Sequence, residues 1–218
     1  MNDKEIGAWR LECQVNALIA KMEKRGFKAV YAPTVEEAKN AVLSLIPETG
    51  AIGLLGSQTM NQLGVYAVLR ASDRELVDHA TQTAGLSPED AHNYRRRVFL
   101  TEAMLASANA VDADGRLYNI DGNGNRVAPM IYGPNKVILA ISLNKVCATQ
   151  EEAWRRARQI ASPMNNKRLN NTAAPCVVSG RCHDCQTSGS ICNYFSIIDR
   201  SRPEGRINIV LVGEDLGY

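Results

Sequence analysis

Several absences narrow the field before any motif is read. No stretch of the chain reaches the ~18 consecutive apolar residues a spanning helix needs, so no membrane span is expected. The start, "MNDKEIGAWRLEC", lacks the basic first segment and apolar core of a signal peptide, and the expected compartment is the cytoplasm. The 25 basic and 23 acidic side chains leave a net charge of only +2, too little to argue for nucleic acid or an anionic membrane as partner. Internal repeats, low-complexity tracts and a dividing linker are also lacking. Residues 1–218 therefore read as a single domain, long enough to bury a substantial core.

Periodicity supplies the fold class. Asp3 to Arg25 carries Ile6, Trp9, Cys13, Leu18 and Met22 on roughly one face, which predicts a helix stopped by Gly26. "FKAVYA" reads as a strand, and Thr34 with Glu37 three residues on begins a capped helix. "AIGLL" is a short buried strand running into "GSQTMNQLGVYAVLR", a turn that opens a helix. Ser87-Pro88-Glu89-Asp90 starts another, expected to continue to about Ser107. The stretch from Ala108 to Ser142 is broken by Asp-Gly, Gly-Asn and Gly-Pro and predicts several strands. Thr149 with Glu152 caps a helix that Pro163 is expected to end, and "YFSIID" and "RINIVLVGE" read as late strands. Strands alternating with helices predict an α/β fold, with a mainly parallel sheet flanked by helices.

Four of the six cysteines fall in the one long aperiodic region, residues 176–192, as C-x5-C-x2-C-x6-C. A reducing compartment disfavours disulfides. A redox dithiol usually sits at a helix start after a strand, where its pKa falls, whereas "CHDC" lies in a Gly/Ser-rich loop. Cys176, Cys182, Cys185 and Cys192 are therefore candidate ligands of a four-sulfur site, against the plainer reading of inert buried thiols. Zinc and an iron–sulfur cluster both accept four thiolates, and the spacing matches neither's common pattern. His183 is more readily a bystander beside a ligand, and Cys13 and Cys147 read as core residues.

"GLLGSQTMNQLG" places Gly56, Ser57 and Thr59 between a strand and a helix, where free N–H groups and hydroxyls suit an anion; the plain reading is a capped turn. It lacks the Gly-Lys-Ser/Thr ending of a P-loop and the full G-x-G-x-x-G fingerprint. "DGNGNR" is most simply a hairpin turn. Its sharper reading is a site-lining loop in which Asn125 and Arg126 face a ligand, with Arg126 gripping a carboxylate. Arg95, Arg96 and Arg97 read as a solvated helix face, His79 and His92 as surface or satisfied histidines, and Glu102 as a paired carboxylate.

Taken together, "GLLGSQTMNQLG", "ANAVDADGRLYNIDGNGNRVAPMIYGPNKVILAISLNKV", "EEAWRRAR", "PCVVSGRCHDC" and "INIVLVGEDLGY" resemble the LUD (lactate utilisation) domain family, collinearly from about residue 10 onward. The likeness is greatest to a stand-alone branch carrying the four-cysteine loop. It implies a fold related to the sugar-phosphate isomerase and coenzyme A transferase group. It also implies a ligand site at Gly56, Ser57 and Thr59, and relatives that oxidise L-lactate with iron–sulfur partners. Asp114-Gly115 stands where many members have Thr-Gly. No glutamate matches the covalent residue of the transferases, so no transferase mechanism is expected.

The leading expectation is redox metabolism of a small carboxylate with an iron–sulfur cluster, zinc being the alternative cofactor. The expected partners are a small carboxylate or phosphate-bearing metabolite and a redox partner protein, with homodimer formation open. Two further readings stay open: a non-redox metabolite-binding or regulatory subunit clamped by structural zinc, and a coenzyme A or sugar-phosphate enzyme.

Overall fold

Strand-helix alternation along the chain becomes two sheets in the computed structural model, which describes residues 2–218. The elements are α1 (Asp3–Lys24), β1 (Lys28–Ala32), α2 (Val35–Leu45), β2 (Ile52–Leu54), α3 (Gln58–Gln62), α4 (Val65–Arg70), β3 (Leu76–Asp78), α5 (Pro88–Arg96), β4 (Ala103–Ala106), β5 (Ala110–Asp112) and β6 (Leu117–Asp121). They continue with α6 (Val127–Ile131), β7 (Lys136–Ser142), β8 (Val146–Cys147), α7 (Gln150–Arg156), α8 (Ser162–Arg168), α9 (Cys176–Ser179), β9 (Tyr194–Ile198) and β10 (Ile207–Val212). The larger sheet is all parallel in the order β1-β10-β7-β4-β2-β3. The smaller runs β8-β5-β6-β9, with β6 antiparallel to both neighbours.

Side chains alternate across the larger sheet and divide the core in two. On one face Val137, Leu139 and Ile141 of β7 join Ile207, Ile209 and Leu211 of β10. These meet Val15, Leu18 and Met22 of α1, with Val111, Leu117 and Ile198 of the smaller sheet. On the other face Ile138, Ala140, Val210 and Val212 meet α2, α3 and α4 through Val42, Met60 and Tyr66. Burial on both faces explains why these strands read as continuous apolar runs. The expected mainly parallel sheet with flanking helices is thus present.

Capping signals translate directly. The Thr34, Ser87 and Thr149 side chains accept from the N–H groups of Glu37, Asp90 and Glu152, satisfying donors the helix leaves free. Four expectations fail. The helix from Ser87 stops at Arg96, and a 3-10 turn leads into β4, all four of whose residues are buried between β2 and β7. That central sheet position outweighs the helical propensity of "TEAMLA". Pro163 does not end its helix: a π-helical turn at Ala157–Ala161 precedes it, and α8 runs on to Arg168. The widened turn removes the carbonyl that a proline ring would strike. The Asp121–Arg126 turn leads into α6 and makes no hairpin, because the Asp121 carboxylate accepts from the N–H groups of Asn123, Gly124, Arg126 and Val127. Cys13, expected in the core, is exposed with Ile6 and Trp9: the buried residues of α1 are Val15, Leu18 and Met22, with Ile19 packed beside them. Cys147 is half-buried against the Tyr118 and Ala153 cluster.

No helix among the described residues is long and apolar enough to cross a membrane.

Candidate functional site

All parallel strands of the larger sheet end at one edge, so the loops that follow them gather there. β2 delivers Gly56, Ser57 and Thr59; β3 delivers His79; β4 delivers Ser107; β7 delivers Lys145 after one 3-10 turn. From the smaller sheet, β6 and its loop add Asp121, Asn125 and Arg126. Together these residues line a cavity of about 360 Å³. The five residues singled out in the sequence, Gly56, Ser57, Thr59, Asn125 and Arg126, all border it.

Their local roles differ from the sequence reading. Ser57 caps α3 by accepting from Met60 N–H at 3.2 Å. That helix has only five residues, so its dipole is short. Gly56 has φ +67, the reason glycine suits the turn. The Arg126 guanidinium is committed to the protein: Nη1 donates to Ser107 O at 2.7 Å and Asn119 Oδ1 at 3.1 Å. Its Nη2 donates to Asn109 Oδ1 and Ile120 O, both at 3.0 Å. Arg126 therefore locks two sheets together and lends positive charge, with neither terminal nitrogen free for a bidentate grip. Asn125 Nδ2 donates to His79 Nδ1 at 3.2 Å, and His79 Nε2 lies 3.1 Å from the Arg95 carbonyl. An acceptor at Nδ1 and a donor at Nε2 define a neutral imidazole; burial also holds its pKa below the usual histidine value.

Lys145 belongs to no motif in the sequence. It is 2% exposed, and Nζ contacts Thr59 Oγ1 at 2.9 Å, Ser107 Oγ at 3.2 Å and Ala108 O at 3.5 Å. Burial, then the charges of Arg156 and Arg126, lower its pKa to about 7. In "SLNKVCA" it looks like an ordinary basic residue after a strand. The available signal was its position: it follows the carboxyl end of a strand in a parallel sheet. His79, read as a surface or satisfied histidine, likewise follows β3. Three guanidinium groups, those of Arg95, Arg126 and Arg168, border the cavity together with the Lys145 amine, against the single carboxylate side chain of Asp121. That balance suits an anionic ligand.

A second cavity, of about 420 Å³, is bordered by Cys176, Cys182, Cys185 and Cys192 together. Its wall includes Arg158, Ser162 and Pro163 from the π-helical turn and α8, so the broken helix shapes it. All six cysteines are free thiols. Burial raises the Cys176 and Cys192 pKa values, and negative charge on neighbouring sulfurs raises them further. Such crowding of thiols is relieved by a bound cation, which reverses the local electrostatics. Among the described residues no three His, Cys, Asp or Glu side chains are already drawn into a metal-ligating cluster. Four thiols are a donor set of the kind that sulfur-ligated centres use. His183 Nε2 lies 2.6 Å from Ser179 Oγ, and Arg158 pairs with Asp184 at the rim. Ile120 and Ile191 border both cavities.

The sequence matches the LUD domain family over residues 15–212. Among solved structures, a DUF162 family protein from Deinococcus radiodurans is similar at 11% identity and a TM-score of 0.52, covering 91% of this chain and 95% of that one. That likeness is one of fold. Ribose 5-phosphate isomerase A from Neisseria gonorrhoeae overlaps 53% of each chain at 17% identity and a TM-score of 0.33. No curated protein matches the sequence. With the family match running from α1 to β10, the chain belongs to the LUD domain family.

Proposed function

We propose that this protein serves redox metabolism of a small carboxylate of the lactate and pyruvate kind. Family membership makes it a lactate-utilisation-type protein in the general sense. In the proposal, the cationic cavity takes the carboxylate, and Cys176, Cys182, Cys185 and Cys192 hold an iron–sulfur cluster. The observation that carries this reading is the shared wall: Ile120 and Ile191 border both cavities. A carboxylate and a sulfur-ligated centre would lie on opposite sides of one apolar layer, which excludes water between them. A single zinc ion, with sulfurs at ~2.3 Å, is the alternative occupant of the same four thiols.

When bound, such a cluster supplies one-electron exchange. Oxidation of a 2-hydroxy acid releases two electrons and two protons, so the proposal includes a redox partner protein. The chain's own residues would hold the anion by charge, with Arg126 positioned by its four hydrogen bonds.

Protein purified without oxygen should contain iron and acid-labile sulfide, with visible absorbance. Cys182→Ser and Cys185→Ser should each abolish both. One zinc per chain without sulfide would overturn the cluster, and metal content surviving both substitutions would overturn the ligand assignment. L-lactate and pyruvate should each raise the melting temperature; no shift with either would remove the carboxylate from the cavity.

A further inference from the structure

Lys145 is the only lysine buried among the described residues, and no carboxylate of those residues lies within ion-pair distance. Buried ammonium groups are ordinarily paired, because an unpaired charge in the interior is costly. Here the neighbours are two hydroxyls and a carbonyl: Thr59 Oγ1, Ser107 Oγ and Ala108 O. The nearby charges, Arg126 and Arg156, are of the same sign and disfavour protonation. Gly217 closes over the amine with φ +64, and a Cβ there would overlap both Thr59 Oγ1 and Lys145 Nζ. The side chain nonetheless borders the cationic cavity. A desolvated lysine beside other cations is the arrangement that makes an amine nucleophilic near neutral pH.

We propose that Lys145 is a carbonyl-reactive amine, which condenses with a small 2-oxo acid held in this cavity. The inference rests on the cavity's reading as a carboxylate site and adds a covalent step to it. Arg95 and Arg168, which border the cavity, match the acid's carboxylate in charge, and Nζ meets the carbonyl carbon. The nitrogen lone pair forms the C–N bond while the carbonyl π pair moves to oxygen, which takes a proton. Loss of that oxygen as water, with both amine protons accounted for, leaves a C=N bond. Nothing is oxidised or reduced. Thr59 and Ser107, both within 3.2 Å of Nζ, are placed to pass the protons between nitrogen and departing oxygen.

The test needs no metal. The full-length protein is incubated with pyruvate and sodium cyanoborohydride, which delivers hydride to an imine, and the products are mapped by peptide mass spectrometry. L-lactate, which has no carbonyl, is the control. The expected result is one reduced pyruvate adduct per chain, on the peptide carrying Lys145. It should be absent with lactate and lost in both Lys145→Met and Lys145→Arg. If both acids raise the melting temperature but no adduct forms on Lys145, the amine is not a nucleophile and the carboxylate site stands. Adducts spread over surface lysines and unchanged in Lys145→Met would also overturn the proposal. If neither acid shifts the melting temperature and no adduct forms, the carboxylate reading and the covalent step fall together.

Discussion

Lys145 Nζ and Thr59 Oγ1, 86 residues apart in the chain, lie 2.9 Å from each other in the interior. The contact joins the end of β7 to the first turn of α3. Thr59→Val keeps the shape and removes the hydroxyl, leaving the buried amine one partner short. Stability should fall by about 1–2 kcal/mol, and Thr59→Ser should recover most of it. Urea unfolding of the three proteins measures this; equal midpoints would mean that the hydroxyl contributes nothing.

The same lysine gives stability a pH dependence of definite sign. Its pKa is about 7 in the fold against 10.5 ordinarily. Between those values the unfolded chain carries a proton that the folded chain has lost. Stability from this group therefore rises with pH across that window, by about 1.4 kcal/mol per unit, and is flat outside it. Lys145→Met removes the dependence. The variant's advantage over the parent should be greatest below pH 7 and close toward pH 10. A difference that stays constant with pH would refute the lowered pKa.

Arg126 makes four hydrogen bonds to groups in β6 and in the loop after β4. Arg126→Ala strands those acceptors and leaves Asp121, 3.8 Å away, without its nearest cation. The expected loss is about 3 kcal/mol or more. Arg126→Lys should recover little of it, because one ammonium does not span the fork. Chemical denaturation decides the matter, and a loss under about 1 kcal/mol for alanine would show that the network is dispensable.

Gly217→Ala sets a methyl group against Thr59 Oγ1 and Lys145 Nζ at a backbone angle alanine disfavours. The segment should lift, breaking the 2.6 Å bond from Gly217 N–H to Gln62 Oε1. Strain of about 1–3 kcal/mol is expected, with faster amide exchange at residues 216–218. Unchanged exchange would show that the tail accommodates the methyl in place.

His79 should titrate below the usual histidine value, because burial disfavours its charged form. Stability should therefore fall as pH drops below about 6.5, since the unfolded imidazole then binds a proton the folded one resists. Nitrogen chemical shifts should report the Nε2–H tautomer at neutral pH; the Nδ1–H form would contradict the Asn125 contact.

Local chemistry was legible wherever a residue acts on its sequence neighbours. Thr34, Ser87 and Thr149 announce helix starts because a cap reaches only three residues. Continuous apolar runs announce β7 and β10. Four thiols within one loop are legible as neighbours, and they border one cavity, because a short stretch of chain limits how far apart they can lie. The glycine turn after β2 marked one wall of a cavity, since strand-to-helix turns sit at the ligand-bearing edge of such sheets.

Long-range packing decided the rest. "TEAMLA" has no local reason to be a strand; its central slot between β2 and β7 makes it one. Pro163 looked like a stop because the π-helical turn that accommodates it is a property of the folded helix. Arg126 looked free to bind a ligand until the two sheets met around it. The character of Lys145 is the clearest case. Its sequence determined only that an amine follows a strand. Burial, the absence of a carboxylate, and the approach of Thr59, Ser107 and Gly217 come from segments 38 to 86 residues away. The free energy of a charge depends on everything packed around it, and that environment exists only in three dimensions.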